Sequence, residues 1–130
     1  MIPKFRAYDG GSLNHMYQPD EVMVCDGNIW IIDEDSVAGE WIVNNDLELM
    51  QSTGLRDKEG TEVFEGDILH HQIQTEYTFI VKYDKEKGCW YGDGLSRTYR
   101  IKITKDFLPY YKVIGNIYEN PELLEMEHEN

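Results

Sequence analysis

Carboxylates are the most abundant groups in this chain that could perform chemistry. Asp and Glu account for 25 of its 130 residues, and two carboxylates held about 5–10 Å apart can serve as the acid and base of a glycosidase. Abundance alone does not place two of them together, and no serine or cysteine lies in a nucleophile signature such as Gly-x-Ser-x-Gly. The sequence therefore predicts no catalytic residue, and an unrecognised hydrolase is the third of three functional readings.

Two neighbouring histidines, His70 and His71, invite a metal site together with Asp67. Adjacent side chains of a strand point to opposite faces, so the two rings cannot share an ion without a bulge. Cys25 and Cys89 lie far apart in the sequence and belong to no Cys-x-x-Cys motif. We expect no metal site and two reduced, buried thiols.

The spacing of Gly54 and Gly60 superficially resembles that of a phosphate-binding loop. Such a loop needs Lys and then Ser or Thr directly after its last glycine, followed by a helix whose N-terminus faces the phosphate. Here Thr61 and Glu62 follow, and then a strand pattern. We interpret both glycines as turn residues, and we expect no cofactor.

The net charge of −13 is unevenly distributed along the chain. Residues 7–55 contain ten carboxylates and no Lys or Arg, whereas ten bases balance ten acids over residues 56–118. Five more glutamates follow with no base. A field of this sign opposes binding to DNA or RNA except at a local cationic patch. The acidic half either aids solubility or presents carboxylates to a basic partner, as a mimic of nucleic-acid phosphates would.

Short apolar stretches separated by turn residues predict strands in the first half of the chain. Residues 4–8 form a first strand, and residues 21–25 and 28–32 flank Asp26-Gly27, a dipeptide that favours the type I′ turn of a hairpin. Because both hairpin strands carry apolar residues on both faces, we expect them to lie in the interior of a sheet.

The second half gives clearer strand patterns, which lie at residues 67–73, 76–83, 89–91, 98–104 and 111–118. Apolar and polar residues alternate over 98–104, which predicts a half-exposed strand. Gly115 indicates a bulge or a close backbone approach. Asn120-Pro121 starts a short helix, which should fray after about two turns because its C-terminal glutamates oppose the helix dipole.

Aromatic and cationic side chains of the second half are the candidates for binding a partner. On a small barrel, exposed aromatic rings can bind proline-rich peptides or stack on bases. Most of the rings are also needed to fill the core. The residues that we assign to partner binding, with two apolar residues of the final helix, are Trp90, Tyr91, Arg100, Lys102, Tyr110, Tyr111, Leu123 and Leu124. Arg97 and Lys105 add to the positive charge of this segment.

Three stretches of the chain resemble the YopX family. They are the opening Lys-Phe-Arg-Ala-Tyr-Asp at residues 4–9, the Gly- and acid-rich run at 47–69, and the closing Val-Ile-Gly-Asn-Ile-Tyr-Glu-Asn-Pro-Glu-Leu-Leu at 113–124. The resemblance implies an SH3-like barrel, a phage or prophage origin and self-association, with no established activity or catalytic residue. Residues 72–110 match no motif of the family that we can quote.

Together, the strand patterns and the resemblance predict a mainly β protein. We expect an acidic N-terminal β-rich lobe at residues 1–53, an SH3-like barrel at 54–118 and a C-terminal helical tail at 119–130. No apolar run reaches the ~20 residues of a membrane-spanning helix and no secretory signal is evident, so the protein is expected in the cytoplasm of a bacterial host cell.

The favoured function is that of a phage- or prophage-encoded, non-enzymatic interaction and assembly protein. We expect it to form homo-oligomers and to bind a host or phage protein, with no nucleic-acid or membrane partner. The alternative is a nucleic-acid-associated barrel that uses the basic strand at residues 97–105.

Overall fold

The computed structural model describes residues 3–11, 13–33, 35–74, 77–95 and 100–126 of the chain. Within these ranges the protein is mainly β, with antiparallel sheets and one short α-helix. The strands are β1 (Phe5–Asp9), β2 (His15–Tyr17), β3 (Val22–Cys25), β4 (Asn28–Ile32), β5 (Trp41–Val43), β6 (Glu48–Arg56), β7 (Glu62–Phe64), β8 (Asp67–His71), β9 (Thr78–Asp84), β10 (Cys89–Gly94), β11 (Arg100–Lys102) and β12 (Tyr111–Asn116). The α-helix α1 is Glu122–Met126, and a 3-10 turn precedes β12 at Leu108–Tyr110.

The chain divides into two compact units, residues 1–52 and 53–130. In the first unit, β1 pairs with β2 and with the start of β6, while β3, β4 and β5 form a separate three-stranded sheet. Apolar side chains from both sheets form one core, whose buried members are Ala7, Tyr17, Val22, Ile31 and Leu47.

The second unit is built on a five-stranded antiparallel sheet in the order β11-β10-β9-β8-β12. One face of this sheet supplies the core, because alternate residues of each strand point to the same side. On β9, Phe79 and Val81 are buried, whereas Lys82 is exposed. The buried members of this core are Val63, Leu69, Phe79, Val81, Ile103, Leu108 and Tyr111.

Turn chemistry in the sequence identified several elements of the structure correctly. Asp26 and Gly27 both adopt positive φ, at 53° and 75°, as a two-residue type I′ hairpin requires. Gly66 has φ of 86° in the turn before β8. The pairing of β12 with β8 shifts register between Val113 and Gly115, which confirms the predicted bulge. The predicted alternation over residues 98–104 is confirmed from Arg100 to Ile103, since Arg100 and Lys102 are exposed, Ile101 is half-buried and Ile103 is buried, while residues 98 and 99 lie outside the described residues.

Three local expectations were wrong. Gly54 lies within β6 rather than in a turn, although its φ of 79° does require glycine. The hairpin strands do not both lie in a sheet interior, because β3 is an edge strand of three and only Val22 of its residues is buried. Cys25 is exposed and Cys89 is half-buried, so the free thiols are not the buried pair expected.

The helix α1 begins after Asn120 and Pro121, close to the predicted start. No helix in the described part of the chain is long and apolar enough to cross a membrane.

Candidate interaction surfaces

The outer face of β9, β10 and β11 brings together several of the residues predicted to bind a partner. Tyr91 lies opposite Lys82 on one side and opposite Lys102 on the other. Asp93 of the same strand lies opposite Arg100. We call this group of residues the cationic face: Lys82, Tyr91, Asp93, Arg100 and Lys102. It has the aromatic and basic composition that the sequence suggested, carried on one side of three adjacent strands.

Two cations of the cationic face already make contacts within the face. The Lys82 Nζ lies 2.7 Å from the Asp93 Oδ2. The Arg100 guanidinium carbon lies 4.8 Å from the centre of the Tyr91 ring, within range of a cation–π interaction. Both contacts are solvent-exposed, so each adds little to stability. Of the two, only the Arg100 contact involves the Tyr91 ring.

The other predicted binding residues lie elsewhere in the second unit. Trp90 points to the core side of β10, where its ring meets that of Tyr83 edge-on at 4.9 Å. Tyr111 is only 5% exposed and stacks on Phe107 at 4.1 Å, so it is a core residue. Tyr110 is 56% exposed and stacks with His71 at 6.0 Å. The predicted aromatic residues therefore do not form one surface.

The remaining candidates of the second unit are spread along the chain. Leu123 and Leu124 are half-buried on α1. Lys105 is exposed in the loop after β11, and Arg97 lies outside the described residues.

A second candidate surface lies on the three-stranded sheet of the first unit, and sequence reasoning missed it. Val22, Ile29 and Ile31 face the core of that unit. The alternate residues point to the opposite side, where Met23 lies across from Trp30 and Trp30 lies across from Val43. Ile32 and Trp41 form the next cross-strand pair on that side. We call this group the apolar face: Met23, Cys25, Trp30, Ile32, Trp41 and Val43.

Apolar side chains are exposed on both sides of the three-stranded sheet, since Val24 and Ile42 on the core side are 41% and 42% exposed. On the apolar face, Met23 is 41% exposed and Val43 is 43% exposed, while Trp30, Ile32 and Trp41 are half-buried. The Trp30 indole N–H donates to the backbone carbonyl of Cys25 at 3.3 Å, which holds the ring across the sheet. These exposed apolar residues make the sheet a candidate interaction surface.

Acidic residues stand at both ends of the three-stranded sheet. At one end the backbone carbonyl of Glu21 accepts from Ile32 N–H and that of Glu40 accepts from Asp33 N–H, while the Glu21 carboxylate accepts from Gln18 N–H. Asp26 occupies the hairpin turn at the other end. Residues 7–55 contain no Lys or Arg, so no cation in this stretch of the chain offsets them.

The sequence did contain a signal for the apolar face. The two tryptophans of residues 7–55 are Trp30 and Trp41. Each lies in a short apolar stretch that has an acidic residue directly before or after it. A short β-sheet has two faces and only one can cover the core of a 52-residue unit. Apolar residues on both faces of the hairpin strands therefore indicated that only one face would be covered by the core, rather than that the strands lie in the interior of a sheet.

Polar residues of the Gly- and acid-rich run at 47–69 and of the closing segment at 113–124 serve the fold. The buried carboxylate of Asp57 accepts from Glu59 and Thr61 N–H in its own turn and, at 2.9 Å, from Val113 N–H of β12. The Asp67 carboxylate accepts from Phe64 N–H at 2.8 Å. The Asn116 amide oxygen accepts from Tyr118 and Glu119 N–H. These side chains accept hydrogen bonds from backbone N–H groups at turns, and this structural role explains their spacing in the sequence.

The neighbouring histidines are held by separate contacts. The Nδ1 of His70 lies 2.9 Å from the Thr78 hydroxyl. The Nδ1 of His71 accepts the backbone N–H groups of Ile73 and Gln74. Among the residues that the structure describes, no group of three or more His, Cys, Asp or Glu side chains is placed to hold a metal ion.

These features define the class of the protein: a small, mainly β chain of two compact units, each with its own core. A family model described as "YopX protein" matches residues 4–125, and the chain belongs to this family. No curated protein sequence matches the chain.

Two solved structures are similar to the chain over almost its whole length. The crystal structure of protein EF1440 from Enterococcus faecalis has 31% sequence identity and a TM-score of 0.65, over 95% of this chain and 99% of that one. The crystal structure of protein yopX from Bacillus subtilis has 18% identity and a TM-score of 0.57, over 93% of this chain and 95% of that one. At that lower identity, the second comparison supports the fold alone.

Proposed function

We propose that this protein acts by binding other macromolecules, including copies of itself, and not by catalysis. The observation that carries the proposal is the apolar face, on which Met23 and Val43 are each more than 40% exposed. Burial of such a face is worth about 25 cal/mol for each Å² removed from water, so a partner that covers it gains stability. We further propose a phage or prophage origin and action in the bacterial cytoplasm, in line with the family resemblance.

As part of the same proposal, we regard the second unit as a small SH3-like barrel. Its five antiparallel strands and the bulge at Gly115 support this interpretation, because bulges bend a strand and help a sheet to curl. A barrel of this kind offers its outer strand faces and its edges for binding.

A nucleic-acid-binding role is the second candidate, and the cationic face is the observation that favours it. Three cations surround Tyr91, in an arrangement that can contact phosphates and stack on a base. Lys82 is however already paired with Asp93. Neutralising only two or three phosphates gives weak, salt-sensitive binding, and the net charge of −13 opposes it. We therefore rank this role below protein binding.

Cross-linking capture from the producing bacterial cells tests the favoured role. Tagged protein should retain a defined partner, or a second copy of itself, that excess untagged protein displaces. The variant Met23→Thr with Val43→Thr keeps strand-forming residues but removes apolar surface, so capture should fall at least fivefold. A matched control is Val37→Thr with Ile73→Thr, two residues that are 107% and 77% exposed and lie outside the apolar face. The control should capture as wild type does.

Two results would overturn the proposal. The first is that excess untagged protein never displaces what the tagged protein captures, and that the protein is also a strict monomer in solution. The second is substrate turnover that co-purifies with the chain and disappears when one Asp, Glu or His is replaced by Ala.

A further inference from the structure

A cleft of about 320 Å³ lies on the core side of the three-stranded sheet, within the first unit. Its lining includes Ile31 of β4 and Ile42 of β5, which form a cross-strand pair, and Tyr17 of β2. Ile31 and Tyr17 are 3% and 4% exposed, so the inner part of the cleft borders the apolar core of this unit. Sites for small molecules have volumes of about 300–1,000 Å³, and this cleft reaches the lower end of that range.

Three carboxylates line the same cleft, those of Asp9, Asp33 and Asp35. Asp9 is the last residue of β1 and is only 9% exposed. Its Oδ1 accepts from Gly11 N–H at 3.0 Å, and the Oδ1 of Asp33 accepts from Asp35 N–H at 3.0 Å, so turns hold both side chains in place. Among the described residues, none that lines the cleft is a Lys or Arg. The cleft therefore combines an apolar interior with negative charge.

This combination of surfaces selects the kind of ligand. In the described part of the chain no three His, Cys, Asp or Glu side chains are placed to hold a metal ion, so the carboxylates suit a larger cation. Alkylammonium and alkylguanidinium groups bury their methylene stems against apolar surface, while their charged ends form strong hydrogen bonds with carboxylates. A cleft with charges of one sign also concentrates ligands of the opposite sign and repels anions.

We propose that the cleft binds an organic cation with an alkyl stem, whose ammonium or guanidinium group pairs with the carboxylates of Asp9 and Asp33. A free small molecule and the end of a Lys or Arg side chain of a partner protein share this chemistry. The cleft lies on the opposite side of the sheet from the apolar face. The inference therefore goes beyond the proposed function and does not depend on it.

An NMR titration of the full-length, ¹⁵N-labelled chain measures binding and locates it. The probe is 1-aminopentane, and 1-pentanol and pentanoate share its five-carbon stem with a neutral or a negative end. We expect 1-aminopentane to shift the amide signals of Gly11, Ile31 and Ile42 with a millimolar Kd that weakens as salt screens the carboxylates. The alcohol and the anion should bind at least tenfold more weakly.

A lysine blocked as its N-acetyl amide distinguishes the two sources of the cation, because it carries the same stem and charge on a neutral backbone. Equal or tighter binding of the blocked lysine supports the proposal with a side chain of a partner protein as the ligand. Tighter binding of 1-aminopentane supports it with a free small cation.

Charge variants of the protein separate attraction by the cleft from general attraction. Asp9→Asn with Asp33→Asn removes two charges, while the side-chain oxygens can still accept the same backbone hydrogen bonds. This variant should bind 1-aminopentane at least fivefold more weakly than wild type. The control Asp20→Asn with Asp26→Asn removes the same charge from exposed positions of the same unit that do not line the cleft. It should bind within twofold of wild type.

A cation supplied by the chain itself gives a second, independent test. Ile42 is 42% exposed, so Ile42→Lys can place an ammonium group beside the carboxylates and should weaken binding of 1-aminopentane at least fivefold. The matched control is Val24→Lys, because Val24 is 41% exposed on the same side of the other edge strand and does not line the cleft. This control should bind within twofold of wild type.

Thermal melts check that each variant folds, and the Lys variants decide the matter if the Asn variant does not. Equal losses in a variant and its control would overturn the proposal, since net charge alone would then explain binding. So would equal affinity for 1-aminopentane and 1-pentanol, or no shift of the cleft amides at high millimolar concentration. None of these results touches the apolar face, so the proposed function stands or falls separately on capture by Met23→Thr with Val43→Thr.

Discussion

Gly66 occupies a backbone conformation that only glycine adopts without strain. Its φ of 86° lies in the left-handed region, and the residue is buried in the turn between β7 and β8. Its N–H donates to the Val81 carbonyl and its own carbonyl accepts from Ile117 N–H, so the peptide groups on both sides are fixed. The turn cannot relax to relieve a side chain there without losing one of these hydrogen bonds.

We therefore predict that Gly66→Ala lowers the free energy of unfolding by about 1 kcal/mol or more, in line with the cost of placing a Cβ at positive φ. Denaturant unfolding of the two proteins measures the difference. Gly11→Ala is the control, because a Cβ there meets only ordinary contact at 3.6 Å and Gly11 has no positive φ. That change should stay within about 0.5 kcal/mol. Equal midpoints for wild type and Gly66→Ala would show that the turn is built differently.

Exposure of single residues was the least predictable property at this scale. Tyr110 and Tyr111 are neighbours of the same type, yet the first is 56% exposed and the second 5%. Tyr111 is the first residue of β12 and lies on the core side, opposite His71. Cys25 similarly stands on the open side of its sheet, opposite Asn28. Which side of a strand is covered depends on elements far away in sequence.

The bulge in β12 is the element that links the five-stranded sheet to the C-terminal segment. A Cβ on Gly115 would lie 2.5 Å from the Asn120 Oδ1 and 2.7 Å from its Cγ. That same Oδ1 accepts from Asn116 N–H at 3.1 Å, so the Asn120 side chain cannot move aside without losing a hydrogen bond. The close approach at Gly115 is thus made by a side chain five positions later in the sequence.

Gly115→Ala should accordingly destabilise the protein by about 1–3 kcal/mol, the usual cost of overpacking. A double-mutant cycle with Asn120→Ala separates the clash from other effects. In the Asn120→Ala background the added methyl group meets no amide, so the cost of Gly115→Ala should fall by about 1 kcal/mol. Strictly additive losses in the cycle would mean that the contact with Asn120 is not the reason for the glycine.

At the scale of the whole molecule, charge and edge strands govern association. The edge strand β12 is partly covered, since its Tyr111 carbonyl accepts from Lys58 N–H and its Val113 N–H donates to Asp57. The other edge, β11, has only three residues. Short or covered edges limit sheet-to-sheet aggregation. Leu123 and Leu124 on α1 remain as candidate apolar contacts between copies.

We predict that the protein self-associates, and that the oligomer becomes more stable as salt rises, because a charge of −13 on each chain repels until it is screened. Light scattering over a salt series measures this, with Leu123→Ser and Leu124→Ser as the variant that should lower the mass. A strict monomer at high micromolar concentration contradicts the prediction.

Duplex and single-stranded DNA should cause no mobility shift in the same samples. Arg100→Ala with Lys102→Ala is the informative variant. Salt-sensitive DNA binding by wild type that this variant loses would favour the nucleic-acid role of the cationic face.

The sequence by itself determined the local features of this protein. Positive φ at Asp26-Gly27 and Gly66, the bulge at Gly115 and the alternation around Arg100 depend on residue type and nearest neighbours, so they could be predicted without the rest of the chain. The family resemblance lay in the stretches at residues 4–9, 47–69 and 113–124, of which the last two contain Gly66 and Gly115.

Only the tertiary structure decided which surfaces are exposed. The sequence could not show that Tyr91, Arg100 and Lys102 share one face while Trp90 and Tyr111 pack into the core, nor which residues of the three-stranded sheet, such as Met23 and Val43, are exposed. The physical reason is that alternation in a strand divides side chains between two faces, and does not say which face another element covers. That choice is made by packing between residues distant in sequence, and it determines where this protein can bind.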